Sequence, residues 1–153
     1  CGCAAGGDCG RHMIRSLDAD AVNALVNHPT IRPGVGGVGD LGLTQAVETL
    51  STWFLLGEYG GCACCWSGPG IYEVHTFILP EGRGRWAIDA VSDAVAIMTA
   101  EGAELLWTRV DPAAAHTKRF CKLTGFERAG VNPLDLGSGL VEYEIYRRRL
   151  TCQ

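Results

Sequence analysis

Apolar residues recur with two different periods along this chain. Between residues 18 and 27, Ala21, Val22, Leu25 and Val26 fall at helical spacing, with Ser16 or Asp18 to cap the start and Pro29 to end it. The Gly-dense stretch at 32–42, RPGVGGVGDLG, reads as a flexible connection or a lid over a substrate. No strand precedes it, and it lacks the lysine of a phosphate-cradling loop. A short helix is expected at 44–50. The pattern then changes: residues 52–56, 61–67 and 71–79 read as strands, joined as antiparallel hairpins by GEYGG at 57–61 and SGPG at 67–70. Residues 85–101 return to helical spacing, with Ile88, Val91, Val95 and Met98 on one stripe, Asp89, Ser92 and Asp93 opposite, and Gly102 as C-cap. A strand at 104–110 and a helix at 112–124 closed by Gly125 follow. Strands at 126–131 and 140–147, joined through Pro133 and Gly137 to Gly139, complete the order. Hairpins flanking one strand–helix–strand crossover predict a single α/β domain, a mixed, centrally splayed β-sheet flanked by helices.

Composition narrows the class. The chain has 153 residues, 47% of them apolar and 20% charged, enough to bury a core unaided. No apolar run approaches the roughly 18–20 residues of a membrane span. A net charge of −4 gives no general attraction to nucleic acid or anionic lipid. The opening CGCAAGGDCGRH has neither an apolar core nor a basic lead, so it does not read as a secretory signal. Residues 1–12 are expected to be a poorly ordered extension before a domain at 13–153, with Met13 reading as a natural start. Eight cysteines is a high count, but Cys62, Cys64 and Cys65 share one strand, where neighbours do not bridge easily. Reduced thiols in a cytoplasm are expected. The spacings lack the paired pattern of zinc sites, so no metal is expected and the strand cysteines read as small apolar filler, with a thiol or metal site on them as the alternative.

The chemistry concentrates at residues 71–91, IYEVHTFILPEGRGRWAIDAV. An alternating strand runs into a short Gly/Arg turn that opens an amphipathic helix. Free backbone N–H groups, the positive end of a helix dipole and the side chains of Arg83 and Arg85 then meet at one spot, suited to a phosphate or pyrophosphate. Glu73 and His75 lie two residues apart on the same strand, hence on one face. A His titrating near neutrality beside a carboxylate can take a proton directly or through water. A His satisfied by its neighbours in a half-buried strand is the plain alternative.

The element order, with PEGRGR at 80–85 and AAAHTKRFCKLTGF at 113–126, resembles the Gcn5-related N-acetyltransferase (GNAT) superfamily. That resemblance implies an acetyl-CoA-dependent N-acyltransferase. It implies a pantetheine arm along the strand edge at Ile78 and Leu79, and a pyrophosphate over Arg83, Gly84, Arg85, Trp86, Ala87 and Ile88. The family signature, Gln/Arg-x-x-Gly-x-Gly/Ala, can be laid on the chain in two registers, and neither matches it throughout. One starts at Arg83 and puts Trp86 in the first glycine slot; the other starts at Glu81 and puts Gly84 there but ends on Trp86. Where many members carry an Asn and an acidic Tyr on the following helix, this chain has Ala114 and Cys121. Cys121 is either a weak acid for the leaving thiolate or a buried filler. The opening NHPTIRPGVGG, with YEVHTF and PEGRGR, is similar to a branch common in bacteriophage and prophage genomes.

On this reading Glu73, His75 and Cys121 are the candidate catalytic residues. The acceptor is an unidentified amine, on a small molecule or a protein, in the cytoplasm of a bacterial host. A catalytically silent GNAT-like component of a phage virion, partnered by phage structural proteins, is the competing reading, and the departures at Trp86, Ala114 and Cys121 favour it.

Overall fold

The computed structural model describes residues 12–36, 38–49, 51–135 and 139–150. Seven strands form one sheet in the order β1-β2-β3-β4-β5-β7-β6. They are β1 Ile14–Ser16, β2 Thr52–Gly57, β3 Gly60–Gly68, β4 Ile71–Ile78, β5 Leu105–Val110, β6 Glu127–Asp135 and β7 Leu140–Arg149. Helices α1 Ala19–Val26, α2 Arg32–Val35 and α3 Thr44–Glu48 precede β2, while α4 Arg85–Ala100 joins β4 to β5 and α5 Ala115–Leu123 joins β5 to β6. Every neighbouring pair is antiparallel except β4 and β5, which are parallel. A parallel pair needs a crossover, and α4 supplies it.

Strand alternation sorts the side chains onto two faces. On one, Leu55, Cys62, Cys64, Val74, Leu106, Val110 and Tyr146 pack with Ala90, Ala94 and Met98 of α4 and Cys121 of α5. On the other, Phe54, Ala63 and Phe77 pack with Val22 and Val26 of α1, with Ile31, and with Val47 of α3. Of the expected α4 stripe Met98 is fully buried, but Ile88, Val91 and Val95 are only partly covered, and the other buried positions are Ala87, Ala90 and Ala94. The sheet side of this interface is already filled by Leu55, Leu106 and Tyr146, so the helix seats on three alanines and keeps one large buried side chain, Met98.

Local chemistry accounts for most element ends. The Asp18 carboxylate accepts from the Asp20 and Ala21 N–H groups at 3.0 Å and caps α1. Gly102 (φ 86°) and Gly125 (φ 79°) adopt the left-handed conformation just beyond α4 and α5. The 32–42 stretch is more than a plain connection: it opens with the one-turn α2, and α1 holds its far end. Asn27 exchanges hydrogen bonds with the Leu41 backbone at 2.7 and 2.8 Å, and Asn23 accepts from Leu43 N–H at 2.7 Å. Side-chain amides that satisfy a loop backbone replace the missing strand or helix partners.

Two further expectations are corrected, at the start of the 112–124 helix and at the end of the 126–131 strand, and two features are not anticipated by the sequence pattern. Residues 14–16 form β1, beside which Met13 is 2% exposed in the core. The helix expected from 112 begins at Ala115, because Asp111 Oδ1 holds the Ala113 N–H at 2.7 Å in a turn. β6 continues through Pro133 to Asp135, tolerated because β6 is an edge strand. Trp66, on β3, is 56% exposed. The extension expected at residues 1–12 lies, except for His12, outside the described residues, as do Cys1, Cys3 and Cys9. Among the described residues no helix is long and apolar enough to cross a membrane.

Candidate functional site

The sheet opens between β4 and β5. Their ladder has three rungs, Ile71↔Leu105, Tyr72↔Leu106 and Glu73↔Trp107, and ends there although β4 runs on to Ile78 and β5 to Val110. The two strands leave this point held by different neighbours, β4 by β3 and β5 by β7. Leu79 N–H donates to Tyr59 C=O at 2.9 Å, which fixes the alternation along β4. Odd-numbered amides face β3, and those of Thr76 and Ile78 face the opening. Of the two strand-edge amides expected there, Ile78 therefore points into the fork. Leu79 does not: its N–H is engaged in the hairpin.

The N-terminus of α4 lies just beyond the end of β4, across a short 3-10 turn at Pro80–Gly82. That turn uses the Gly82 and Arg83 N–H groups, which donate to Leu79 C=O at 3.0 Å and Pro80 C=O at 3.3 Å. Gly84 then takes φ 96° and ψ −130° as N-cap, with no side chain capping the helix. Among the described residues, the N–H groups of Gly84, Arg85, Trp86 and Ala87 have no acceptor; the first helical bond is from Ile88 N–H to Gly84 C=O at 3.3 Å. A helix end left in this way carries partial positive charge. The positive φ agrees with the register that places Gly84 in the glycine slot.

Trp86 leaves that mouth clear. Its indole packs on the α4-side core and meets the rings of Tyr59 and His12 edge-on, at centroid distances of 5.5 and 6.4 Å. A Cβ at Gly82 would stand 2.9 Å from Trp86 Cε3, whereas a Cβ at Gly84 would meet nothing within 4 Å. The space at the glycine turn is thus open and the bulk of Trp86 is behind it. Arg83 is exposed, and Arg85 Nε is held by the Asp89 carboxylate at 2.8 Å, one turn along the helix.

On the α1–α3 face, at the base of the fork, lies a charged group of three. Glu73 is 9% exposed, and its Oε1 accepts from Arg109 Nε at 2.7 Å and stands 3.5 Å from His75 Nε2. Arg109 belongs to β5, two residues beyond the last ladder rung, so this ion pair spans the opening. Its guanidinium also lies 5.7 Å from the Trp107 ring. His75 is held below its ordinary pKa, first by partial burial and also by Arg109, with Glu73 acting in the opposite sense. The sequence pairs Glu73 with His75 but gives no hint of Arg109, since only the β4–β5 register brings it near.

Cys121 is the buried residue of α5, 5% exposed, its thiol pushed up to about 11 by burial. Ala114 is the N-cap of α5 and packs against the same core. Cys62 and Cys64 are buried on the α4 side, and Cys65 faces the other side, opposite Glu73. Among the described residues no three His, Cys, Asp or Glu side chains converge as a metal ion would require.

No protein-family model matches the chain, and no curated protein matches it by sequence. Solved structures do match it in fold. One is an acetyltransferase assigned to the GNAT family from Desulfovibrio desulfuricans, at 16% identity and a TM-score of 0.67, covering 91% of this chain and 98% of that one. The ribosomal-protein-S5-alanine acetyltransferase of Vibrio fischeri gives 12% identity and a TM-score of 0.70, over 91% and 93% of the two chains. AAC(6')-Ib, solved with paromomycin and acetyl-CoA, gives 15% identity and 0.67, over 87% and 90%. The fold of this chain is the GNAT fold.

Proposed function

We propose that the protein is an acetyl-CoA-dependent N-acyltransferase acting on an amine. The observation that carries this reading is the coincidence of the β4–β5 fork with four unengaged amides at the mouth of α4. An elongated ligand that carries a diphosphate beyond an extended arm fits both features at once. The N–H groups of Gly84 to Ala87 would donate to the pyrophosphate oxygens, with Arg83 and Arg85 adding screened charge. Pantetheine would run along the open edge of β4. Bound acetyl-CoA supplies an activated thioester carbonyl.

This chain's residues then have distinct tasks. The Ile78 N–H, aimed into the fork, is placed to donate to an oxygen on which negative charge develops. His75 takes the proton of the acceptor ammonium, and Glu73 stands beside it to stabilise the imidazolium that forms. We assign Cys121 to packing, since a thiol raised to about 11 is a poor donor. The leaving thiolate needs little help, because a free thiol has a pKa of about 8.5.

Thermal denaturation with increasing acetyl-CoA tests the reading. Stabilisation should grow with concentration, reaching about 2.7 kcal/mol at a hundred times Kd. Spermidine, paromomycin and a peptide with N-terminal alanine, amines named by similar folds, then serve as acceptors in a thiol-release assay. No shift at millimolar acetyl-CoA overturns the proposal. It would leave the second reading, a GNAT-like scaffold without turnover in a phage particle, which Trp86, Ala114 and Cys121 favour because they stand where the family's Gly, Asn and Tyr are expected.

A further inference from the structure

We propose that Arg109 is a positioning residue: it reaches across the fork from β5 to hold the Glu73 carboxylate in place, so that His75, and not Glu73, receives the acceptor's proton. The inference rests on the acyl-transfer reading of this site.

The geometry has three parts. Glu73 stands on the last rung of the β4–β5 ladder, where backbone pairing stops constraining the two strands. Arg109 lies two residues further on, yet its Nε is 2.7 Å from Glu73 Oε1, so the side chains continue a connection that the backbones have abandoned. His75 stands on β4 one turn of the pleat beyond Glu73, with Nε2 3.5 Å from that same oxygen. Both Glu73 and Arg109 are shielded, their side chains 12% and 29% exposed, whereas that of His75 is 44% exposed and open to an incoming amine.

A shielded carboxylate whose Oε1 is engaged by a guanidinium is committed as an acceptor and is covered from an incoming amine, while His75 is open to it. The remaining lone pairs of Glu73 can orient the imidazole and stabilise its cation. The charged neighbours of His75 are Glu73 on its own strand and Arg109 on β5. Across β3 the partner of His75 is Ala63, and Cys65, opposite Glu73, is the nearest titratable side chain there. Partial burial, aided by Arg109, outweighs Glu73 and holds the imidazole below its ordinary pKa, which favours the neutral form that a base must have before it acts. In the transfer, His75 takes one proton from the acceptor ammonium, the neutral amine so formed attacks the carbonyl carbon, the C–S bond breaks with its electron pair on sulfur, and the second proton leaving nitrogen ends on that thiolate.

The test is an NMR titration of the His75 ring in the full chain, in the wild type and in Arg109→Gln, Arg109→Lys and Glu73→Gln. Arg109→Gln should raise the midpoint, since a repelling cation is lost and the carboxylate is left uncompensated. Arg109→Lys should restore most of it, and Glu73→Gln should lower it. Circular dichroism confirms that each variant is folded, and Glu73→Gln carries the test alone if the Arg109 variants are not. With the acceptor that releases thiol, Arg109→Gln should cut kcat by about 100-fold, the cost of a misplaced catalytic group, with KM for acetyl-CoA unchanged. A chain that binds acetyl-CoA while its His75 midpoint ignores all three substitutions overturns the role of Arg109 alone. A chain that does not bind acetyl-CoA overturns this inference together with the function on which it rests.

Discussion

The Tyr59 ring meets the Trp86 indole edge-on, centroids 5.5 Å apart and planes at 81°. This contact decides whether the mouth of α4 is usable. Trp86 falls within the turn where the family pattern favours glycine, and a ring over the helix end would close it. Tyr59, in the β2–β3 turn, and Gly82, whose missing side chain leaves room for both rings, draw the indole to the core side instead.

Trp86→Ala should destabilise the fold by about 2–3 kcal/mol, below the 3–5 typical of a fully buried aromatic because this ring is only partly covered. Urea denaturation measures it, and Trp86→Phe should recover most of the loss. A change within a few tenths of a kcal/mol would show that the indole does not anchor the turn.

Gly84→Ala isolates backbone strain. Nothing within 4 Å would meet the new methyl, but φ 96° is a conformation that L side chains avoid. We expect a loss of about 1–3 kcal/mol. Acetyl-CoA affinity should fall as well, because relaxing φ would re-aim the four free amides. Unchanged affinity would place the diphosphate elsewhere.

Charge at the turn should appear in salt dependence. Arg85 is shared with Asp89, an exposed i,i+4 pair of small intrinsic value. Asp89→Ala should release Arg85 and tighten acetyl-CoA binding at low ionic strength. Arg83→Ala with Arg85→Ala should weaken binding and flatten its dependence on salt. Calorimetry at two salt concentrations separates these outcomes.

Acid should weaken the protein in two stages. Partial burial first, and then Arg109, hold His75 below 6.5 in the folded state. The unfolded chain therefore binds that proton more readily, so this stability is present above pH 6.5 and is lost as pH falls through the folded value. Glu144 follows lower down. Its hydrogen bond with Lys118, at 2.7 Å, is the main cause holding it below 4.5, with help from Tyr146 and Arg128. Its contribution is present above pH 4.5 and lost beneath. His75→Ala should remove the upper stage from a plot of urea midpoint against pH, and Glu144→Gln the lower.

Cys121 should be unreactive toward thiol reagents in the native protein near neutral pH, because it is buried and its pKa is about 11. Peptide mapping after brief alkylation would show it labelled only once the chain is unfolded. If acyl transfer is found, Cys121→Ala should leave its rate unchanged; a large fall would restore the thiol to the mechanism.

Periodicity and turn chemistry settle most of the elements before any tertiary contact is known. The hairpins at 57–61 and 67–70, the α4 crossover and the left-handed Gly102 and Gly125 all follow from local preference, which the folded chain has no reason to override. The same is true of the Glu73–His75 pair, since residues two apart on a strand must share a face. Packing decided what local pattern does not contain. The sheet chose the alanine face of α4 over its valines, α1 pinned the Gly-dense loop through Asn23 and Asn27, and Tyr59 drew Trp86 away from the helix mouth. Arg109 reaches Glu73 only because β4 and β5 pair for three residues and then part, and a register that joins residues as distant as Ile71 and Leu105 is written in no local window of the sequence.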